Sequence, residues 1–365
     1  MGAASFILFF LVALAASQCS AQFLPPPLRE KGGKIRASGY LQLRYSGIDN
    51  REDVFALRRL KLMVGGDLNQ DWQWYTQFFF RYGTTAPNDG RPYFQEGWLR
   101  YRRHRSAQFV AGQFKPPFSR ERFTPDFRLH TINRSLVVKA LIPNGEFPES
   151  FTRDVGAQVD GVIRERVKYA AGLFGGFGAN RAIKGLSPMF STRVRADIVK
   201  NRRFLGHAVL VNAGGSFSVR DAHNLPFGTL AAKPTREVLS GFTGTGWRAG
   251  FESGVDWAGW AFRAEYIRAW FDSRDAEKPD VTADGYYVQL AKYLATKWQA
   301  AVKWEEFDPN TSVKNSRDVR WLTVGLNYYI REDRLKLMAN YVFRWEQVDP
   351  QPNNAVLIQF QWFFL

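Results

Sequence analysis

The chain has 365 residues, with 50 Lys and Arg against 34 Asp and Glu, for a formal net charge of +16. Its mean hydropathy is −0.32, and beyond Ala16 no apolar run is long enough for a membrane helix, which excludes a helical membrane protein. A β-barrel is not excluded, because its lipid-facing residues recur only at every second position and hydropathy averages out. The basic balance suits nucleic acid, acidic membrane surfaces or anionic small solutes.

Ser5 to Ala16 is an apolar run of signal-peptide length, and Cys19-Ser20-Ala21 supplies small residues where a signal peptidase reads. Residues 1–21 are therefore expected to be a cleaved signal peptide, although no Lys or Arg precedes the run. A lipid-modified Cys19 is disfavoured by the bulky Gln18. Cleavage after Ala21 removes the single cysteine and with it all thiol chemistry. Residues 22–33, with Pro25-Pro26-Pro27, form a spacer, and residues 34–365 form one domain. Export argues against nucleic acid as a partner.

Lys34 to Ser46 alternates, with Ile35, Ala37, Leu41, Leu43 and Tyr45 on one face and Arg36, Ser38, Gln42 and Arg44 on the other. That pattern predicts a strand with one apolar and one cationic face. Val54 to Leu68 sets Leu60, Leu62 and Val64 opposite Arg59, Lys61 and Met63, with Arg58 breaking the alternation. Trp72 to Tyr82 sets Trp72, Trp74, Phe78 and Phe80 opposite Gln73, Tyr75, Gln77 and Arg81. Tyr93–Arg102 and Ala107–Lys115 follow, with Trp98, Arg100, Arg102, Gln113 and Lys115 assigned to the polar face.

Further strands are predicted over Asp154–Arg164, Lys168–Phe174, Phe190–Val199, Leu205–Phe217, Trp247–Trp257, Trp260–Phe271 and Gly285–Leu294. The last four are Trp298–Phe307, Val319–Ile330, Arg334–Glu346 and Ala355–Leu365. The total is about sixteen, an even number as in single-chain bacterial barrels. Short connections (69–71, 103–106, 165–167, 200–203, 258–259, 295–297, 331–333) alternate with long ones (47–53, 83–92, 116–153, 175–189, 218–246, 272–284, 308–318, 347–354). Such alternation predicts an all-β transmembrane antiparallel barrel with short periplasmic turns, long external loops and both termini on the turn side. Trp257, Trp260, Trp72, Trp74 and Trp298 sit beside short turns, where an aromatic girdle is expected. A soluble β protein would have to display this large aromatic surface to water, where it would aggregate.

The third long connection opens with Gly112-Gln113-Phe114-Lys115-Pro116-Pro117-Phe118. Two prolines remove backbone donors and fix φ, so the ladder must stop there. The loop then carries Arg120, Arg122, Arg128, Arg134, Lys139 and Arg153, with an apolar segment from Leu136 to Ile142. Long loops inside compact domains are usually functional, and the apolar segment predicts that this one packs inward and narrows the lumen.

Phe55 to Leu62, Gly112 to Phe118, Arg134 to Val138, Tyr286 to Gln289 with Tyr293-Leu294, and Gly325 to Tyr329 together resemble the phosphate-selective porins of the O and P type. The pieces spread over nearly the whole mature chain in the family's order. The resemblance implies a sixteen-stranded homotrimer in the bacterial outer membrane, with a lumen-folded loop and cationic side chains guiding phosphate, pyrophosphate or related anions. Leu365 departs from the terminal Phe usual in such barrels.

An anion crossing a constriction loses hydration that Lys or Arg donors must replace. Lys115, Arg120, Arg122 and Arg128 are the candidates for the constriction. Arg36, Arg44, Arg59, Lys61, Arg100 and Arg102 are the candidates for a wall that concentrates anions. For each wall residue the competing reading is a solvated lumen charge without specificity, and for Arg120 and Arg122 it is a salt bridge to Glu121 or to loop carboxylates that merely holds the loop. Lys336, lumen-facing by alternation, is expected to lie away from the constriction. Glu252 and Glu265 are expected to balance Arg248 and Arg263. His104, His130, His207 and His223 lack metal-ligand spacing, and no nucleophile elbow or phosphate-cradling Gly loop occurs, so neither cofactor, metal nor catalysis is expected. Three classes remain open: an anion porin, a non-selective or structural barrel, and a secreted β protein binding polyanions.

Overall fold

The computed structural model describes residues 35–80, 92–145, 152–183, 188–226 and 240–364. The expected signal peptide and spacer, and Arg81 and Leu365, lie outside the described residues. The alternating segments form β1 (Arg36–Ile48), β2 (Val54–Asp67), β3 (Trp72–Phe80), β4 (Pro92–His104), β5 (Ala107–Phe114), β6 (Asp154–Ile163), β7 (Val167–Phe174) and β8 (Met189–Phe204). They continue as β9 (His207–Pro226), β10 (Ser240–Trp257), β11 (Trp260–Ser273), β12 (Val281–Ala295), β13 (Trp298–Asp308), β14 (Val319–Arg331), β15 (Leu335–Glu346) and β16 (Ala355–Phe363). Each strand pairs antiparallel with its sequence neighbours, and β1 pairs with β16 from Tyr40↔Phe363 to Ile48↔Ala355, closing the barrel. Closure leaves no backbone edge to solvate, a requirement in lipid.

The faces divide as alternation predicts. Gln42, Arg44, Arg59, Lys61 and Met63 are buried inside, while Leu99, Leu173, Val194, Phe251, Val302 and Ile358 are exposed on the outside. An outward apolar surface of this extent is explained by lipid. Near the short turns, Trp72 packs on Tyr101, Phe204 on Trp257 and Trp298 on Tyr328, with ring centroids 5.1, 5.6 and 4.6 Å apart.

Three departures from the sequence reading have physical causes. Strand structure reaches into the link expected over 218–246, because β9 and β10 pair from Trp257↔Val209 out to Ser240↔Pro226. Ladder bonds to a long neighbour override the loop-like composition of Ser240-Gly241-Phe242-Thr243-Gly244. The turn expected over 200–203 moves to Leu205-Gly206, whose φ values of 49° and 78° suit a two-residue hairpin turn needing positive φ at both positions. Arg58 is the extra residue of a β-bulge, since Gln42 pairs with Arg59 but Leu43 pairs with Leu57. The bulge absorbs the break in alternation and turns Arg59 and Lys61 into the lumen.

The long loop enters the lumen as expected, carrying α1 (Arg120–Phe123), a 3-10 turn (Asp126–Arg128) and α2 (Leu136–Leu141). The apolar face of α2, through Val137, Val138 and Leu141, is fully buried against Ala269, Phe271, Ala283 and Tyr287 of β11 and β12. Each such side chain contributes about 1.5–3 kcal/mol on burial, so α2 fastens the loop to one wall.

Candidate functional site

The path of the loop is set where β5 ends. Gly112 has φ +135°, and a Cβ there would lie 2.2 Å from the Gly97 carbonyl oxygen, so only glycine fits. Past Pro116 and Pro117, Phe118 is fully buried, and a Cβ on Gly250 would come within 3.3 Å of its ring. Ser119 takes φ 68°, a conformation that L residues hold only when the surroundings fix it. Its hydroxyl donates to Glu265 at 2.6 Å and accepts from the Arg122 amide at 3.2 Å.

From there the loop crosses to the seam of the barrel. Phe127 packs against Tyr40 and Phe363, at centroid distances of 5.6 and 4.9 Å. The Ile132 amide donates to Asn340 Oδ1 at 2.7 Å, and Arg44 donates to Asn133 Oδ1 at 2.9 Å. Arg134 donates to the Glu121 carbonyl and to Asp126, while Glu121 accepts from the Ser135 amide and hydroxyl at 2.8 and 2.9 Å. These bonds fold the loop onto itself.

Between the loop and the walls of β2, β3 and β4 lies a small cavity lined by Arg59, Lys61, Phe79, Gln95, Lys115, Arg122, Asp126, Arg134 and Arg153. Six side chains of that lining are cationic and one is a carboxylate. The Asp126 carboxylate meets Lys61 Nζ at 2.6 Å, Arg134 at 2.8 Å and Arg59 at 3.5 Å, and the Tyr40 hydroxyl donates to it at 3.3 Å. Burial pushes the Asp126 carboxyl up, but the three cations outweigh it and hold it well below the ordinary value. Arg153 pairs with Glu96 at 3.2 Å. Arg122 donates to the Thr152 carbonyl at 3.1 Å.

Lys115 Nζ lies 3.5 Å from the Arg122 carbonyl oxygen and 5.9 Å from the Phe123 ring centroid. Burial pulls this ammonium well below its ordinary value; Glu96 opposes the shift, and Arg153, Arg122 and Arg134 add to it. Cations this close raise one another's free energy, and an arriving anion relieves that repulsion.

Of the sequence candidates, Lys115, Arg122, Arg59 and Lys61 thus come together. Arg120 stands elsewhere, donating to Asn212 of β9. Arg128 lies 3.7 Å from Asp333, beyond the seam. Arg44 holds Gln359 at 2.7 Å as well as the loop, so it fastens the loop rather than lining the gap. Arg100 pairs with Asp160 at 2.7 Å, and Arg36 and Arg102 share Asp67 at 3.8 and 2.9 Å. Lys336 is not remote from the loop: it approaches the Leu129 carbonyl at 3.5 Å. The expected carboxylate pairings are corrected too, because Glu252 binds Arg193 at 2.7 Å, Arg263 binds Asp256, and Glu265 caps the loop. Arg134, Arg153, Asp126 and Phe79 were missed as lining residues; the first two were visible only as charges on an inward loop.

Residues 32–162 and 246–364 match the model of the family described as phosphate-selective porin O and P. The chain is 22% identical to Porin O of Pseudomonas aeruginosa over 303 residues, covering 73% of this chain and 65% of that relative's length. OmpT of Vibrio cholerae superposes with a TM-score of 0.61 at 12% identity, covering 93% of this chain and all of the other. An anion-selective porin from Comamonas acidovorans superposes with a TM-score of 0.59 at 10% identity, covering 91% of this chain and 99% of the other.

Proposed function

Because the chain belongs to the phosphate-selective porin O and P family, a family of bacterial outer-membrane channels, we propose that its lumen passes small inorganic anions, with phosphate and pyrophosphate foremost. It is a channel and not an enzyme. The observation that supports selectivity is the gathering of Arg59, Lys61, Lys115, Arg122, Arg134 and Arg153 around the small cavity beside the inward loop. A dehydrating oxyanion exchanges water for ammonium and guanidinium donors there, and charge-assisted bonds of this kind are about twice as strong as neutral ones. Along the rest of the wall Arg36, Arg100 and Arg102 are paired with carboxylates and Arg44 holds the loop, so they add to the field that draws anions only as part of the chain's net charge of +16.

The same reading makes the working unit a homotrimer embedded in outer-membrane lipid. The Vibrio relative is known in a trimer form, and the apolar outer belt supplies the surface such an assembly needs. Reversal potential in a planar bilayer under a chloride gradient, followed by titration with sulfate, phosphate and pyrophosphate, tests the selectivity. Equal permeability of chloride and potassium would favour a non-selective barrel.

A further inference from the structure

We propose that Asp126 sets the exchange rate and the anion class of this passage: its carboxylate is a built-in competitor that each oxyanion must displace from Lys61 and Arg134. The inference rests on the anion-channel reading and adds to it a specificity-determining residue.

The geometry is that of an occupied binding seat. One oxygen of Asp126, Oδ1, meets Arg134 at 2.8 Å, and the other, Oδ2, meets Lys61 at 2.6 Å. Arg59 and Tyr40 reach the second oxygen at 3.5 and 3.3 Å. The two donors are therefore bridged by two oxygens on one central atom, which is also what a phosphate, a sulfate or a carboxylate presents. Chloride, a single centre, cannot bridge them in this way. Beyond Asp126, Lys61 Nζ faces the rings of Phe79 and Tyr40 at 5.7 and 5.9 Å.

Two considerations make the carboxylate a competitor and not a tether. The loop is held independently by Ser119 on Glu265, by Phe127 between Tyr40 and Phe363, by Ile132 on Asn340 and by the buried face of α2. A channel also needs binding weak enough to release its ion. Glu96 already balances Arg153, so Asp126 is the counter-charge on Lys61 and Arg134; without it those donors would hold an oxyanion too long, whereas Asp126 returns to them as the anion leaves. No covalent step is involved; the exchange is of hydrogen bonds only.

The test uses full-length protein refolded into planar bilayers, in chloride electrolyte with added inorganic phosphate. Asp126→Asn should lower the half-blocking phosphate concentration about tenfold, the equivalent of about 1.4 kcal/mol, and lengthen each blocking event. Asp126→Glu should restore most of the wild-type block. If Asp126→Asn leaves phosphate block unchanged or weaker, or raises chloride conductance severalfold as a released loop would, the inference fails. Lys61→Gln separates the two readings. Should it weaken phosphate block while Asp126→Asn has no effect, the channel reading stands and the competitor falls; should neither variant alter block, the anion site itself is elsewhere.

Discussion

Glu265 accepts the Ser119 hydroxyl at 2.6 Å, and with it the amides of Arg120 and Glu121 and the Tyr287 hydroxyl. One wall carboxylate thus gathers four donors at the point where the loop leaves β5 and turns across the lumen, and it fixes Ser119 at a positive φ. Removing it strands buried donors, at about 1–3 kcal/mol each. Glu265→Ala should therefore release the loop, read as larger and noisier single-channel conductance with the barrel still heat-modifiable on gels. Glu265→Gln, which keeps two acceptor lone pairs, should be milder.

Lys115 offers a direct test of the proposed anion site. Charged hydrogen bonds contribute about 1.5–3 kcal/mol, so Lys115→Gln should weaken phosphate block by about one to two decades. Arg100→Gln, which removes a wall charge already paired with Asp160, should change conductance only modestly and less at high salt. Lys336 does not suit as the control, since it touches the loop. Block unaffected by Lys115→Gln but altered by Arg100→Gln would move the constriction toward Arg100.

The pH dependence of that block follows from the depressed value of Lys115. On the proposed reading its charged form binds the anion, so its contribution is complete below the Lys115 value and is lost as pH rises through it. An ordinary lysine would lose charge near about 10.4; here the loss should begin at lower pH, and bound phosphate should shift it upward. Lys115→Arg, whose guanidinium stays charged, should keep block across the alkaline range. The measurement is half-blocking phosphate concentration against pH above 7.5, where the dianion is the prevailing phosphate species.

Gly112→Ala should impair folding. The added methyl would fall 2.2 Å from the Gly97 carbonyl oxygen and 2.7 Å from Trp98 Cα, at a φ of +135° that side chains avoid. Yield of folded, heat-modifiable barrel is the readout, and wild-type yield would show that β4 and β5 can separate at this point.

Much of the barrel was legible because it depends on local alternation: Gln42 and Arg44, Arg59 and Lys61 face inward as their spacing requires. The long β9–β10 hairpin was not, since pairing with a neighbour decided it over the Gly-rich composition. Part of the cationic cavity was legible through Lys115 and Arg122 at the loop entrance. Asp126 was not, because nothing in Thr124-Pro125-Asp126-Phe127 says that the loop crosses to β1 and β2, a contact 65 residues distant along the chain for Lys61.

That crossing makes the passage a product of barrel closure. Phe127 is wedged between Tyr40 of the first strand and Phe363 of the last, and Gln361 donates to the Phe127 carbonyl at 3.3 Å. Before β16 zips onto β1, half of that wedge is missing, so the loop has no finished berth and the cations no fixed geometry. Deleting Phe360 to Leu365 should accordingly abolish the heat-modifiable species, because an open seam leaves unpaired backbone groups costing several kcal/mol each in lipid. Subtler damage at the seam, such as Phe363→Ala, should give barrels that insert yet conduct without discrimination. On the proposed anion-channel reading, discrimination then depends on the closed seam between the first strand and the last.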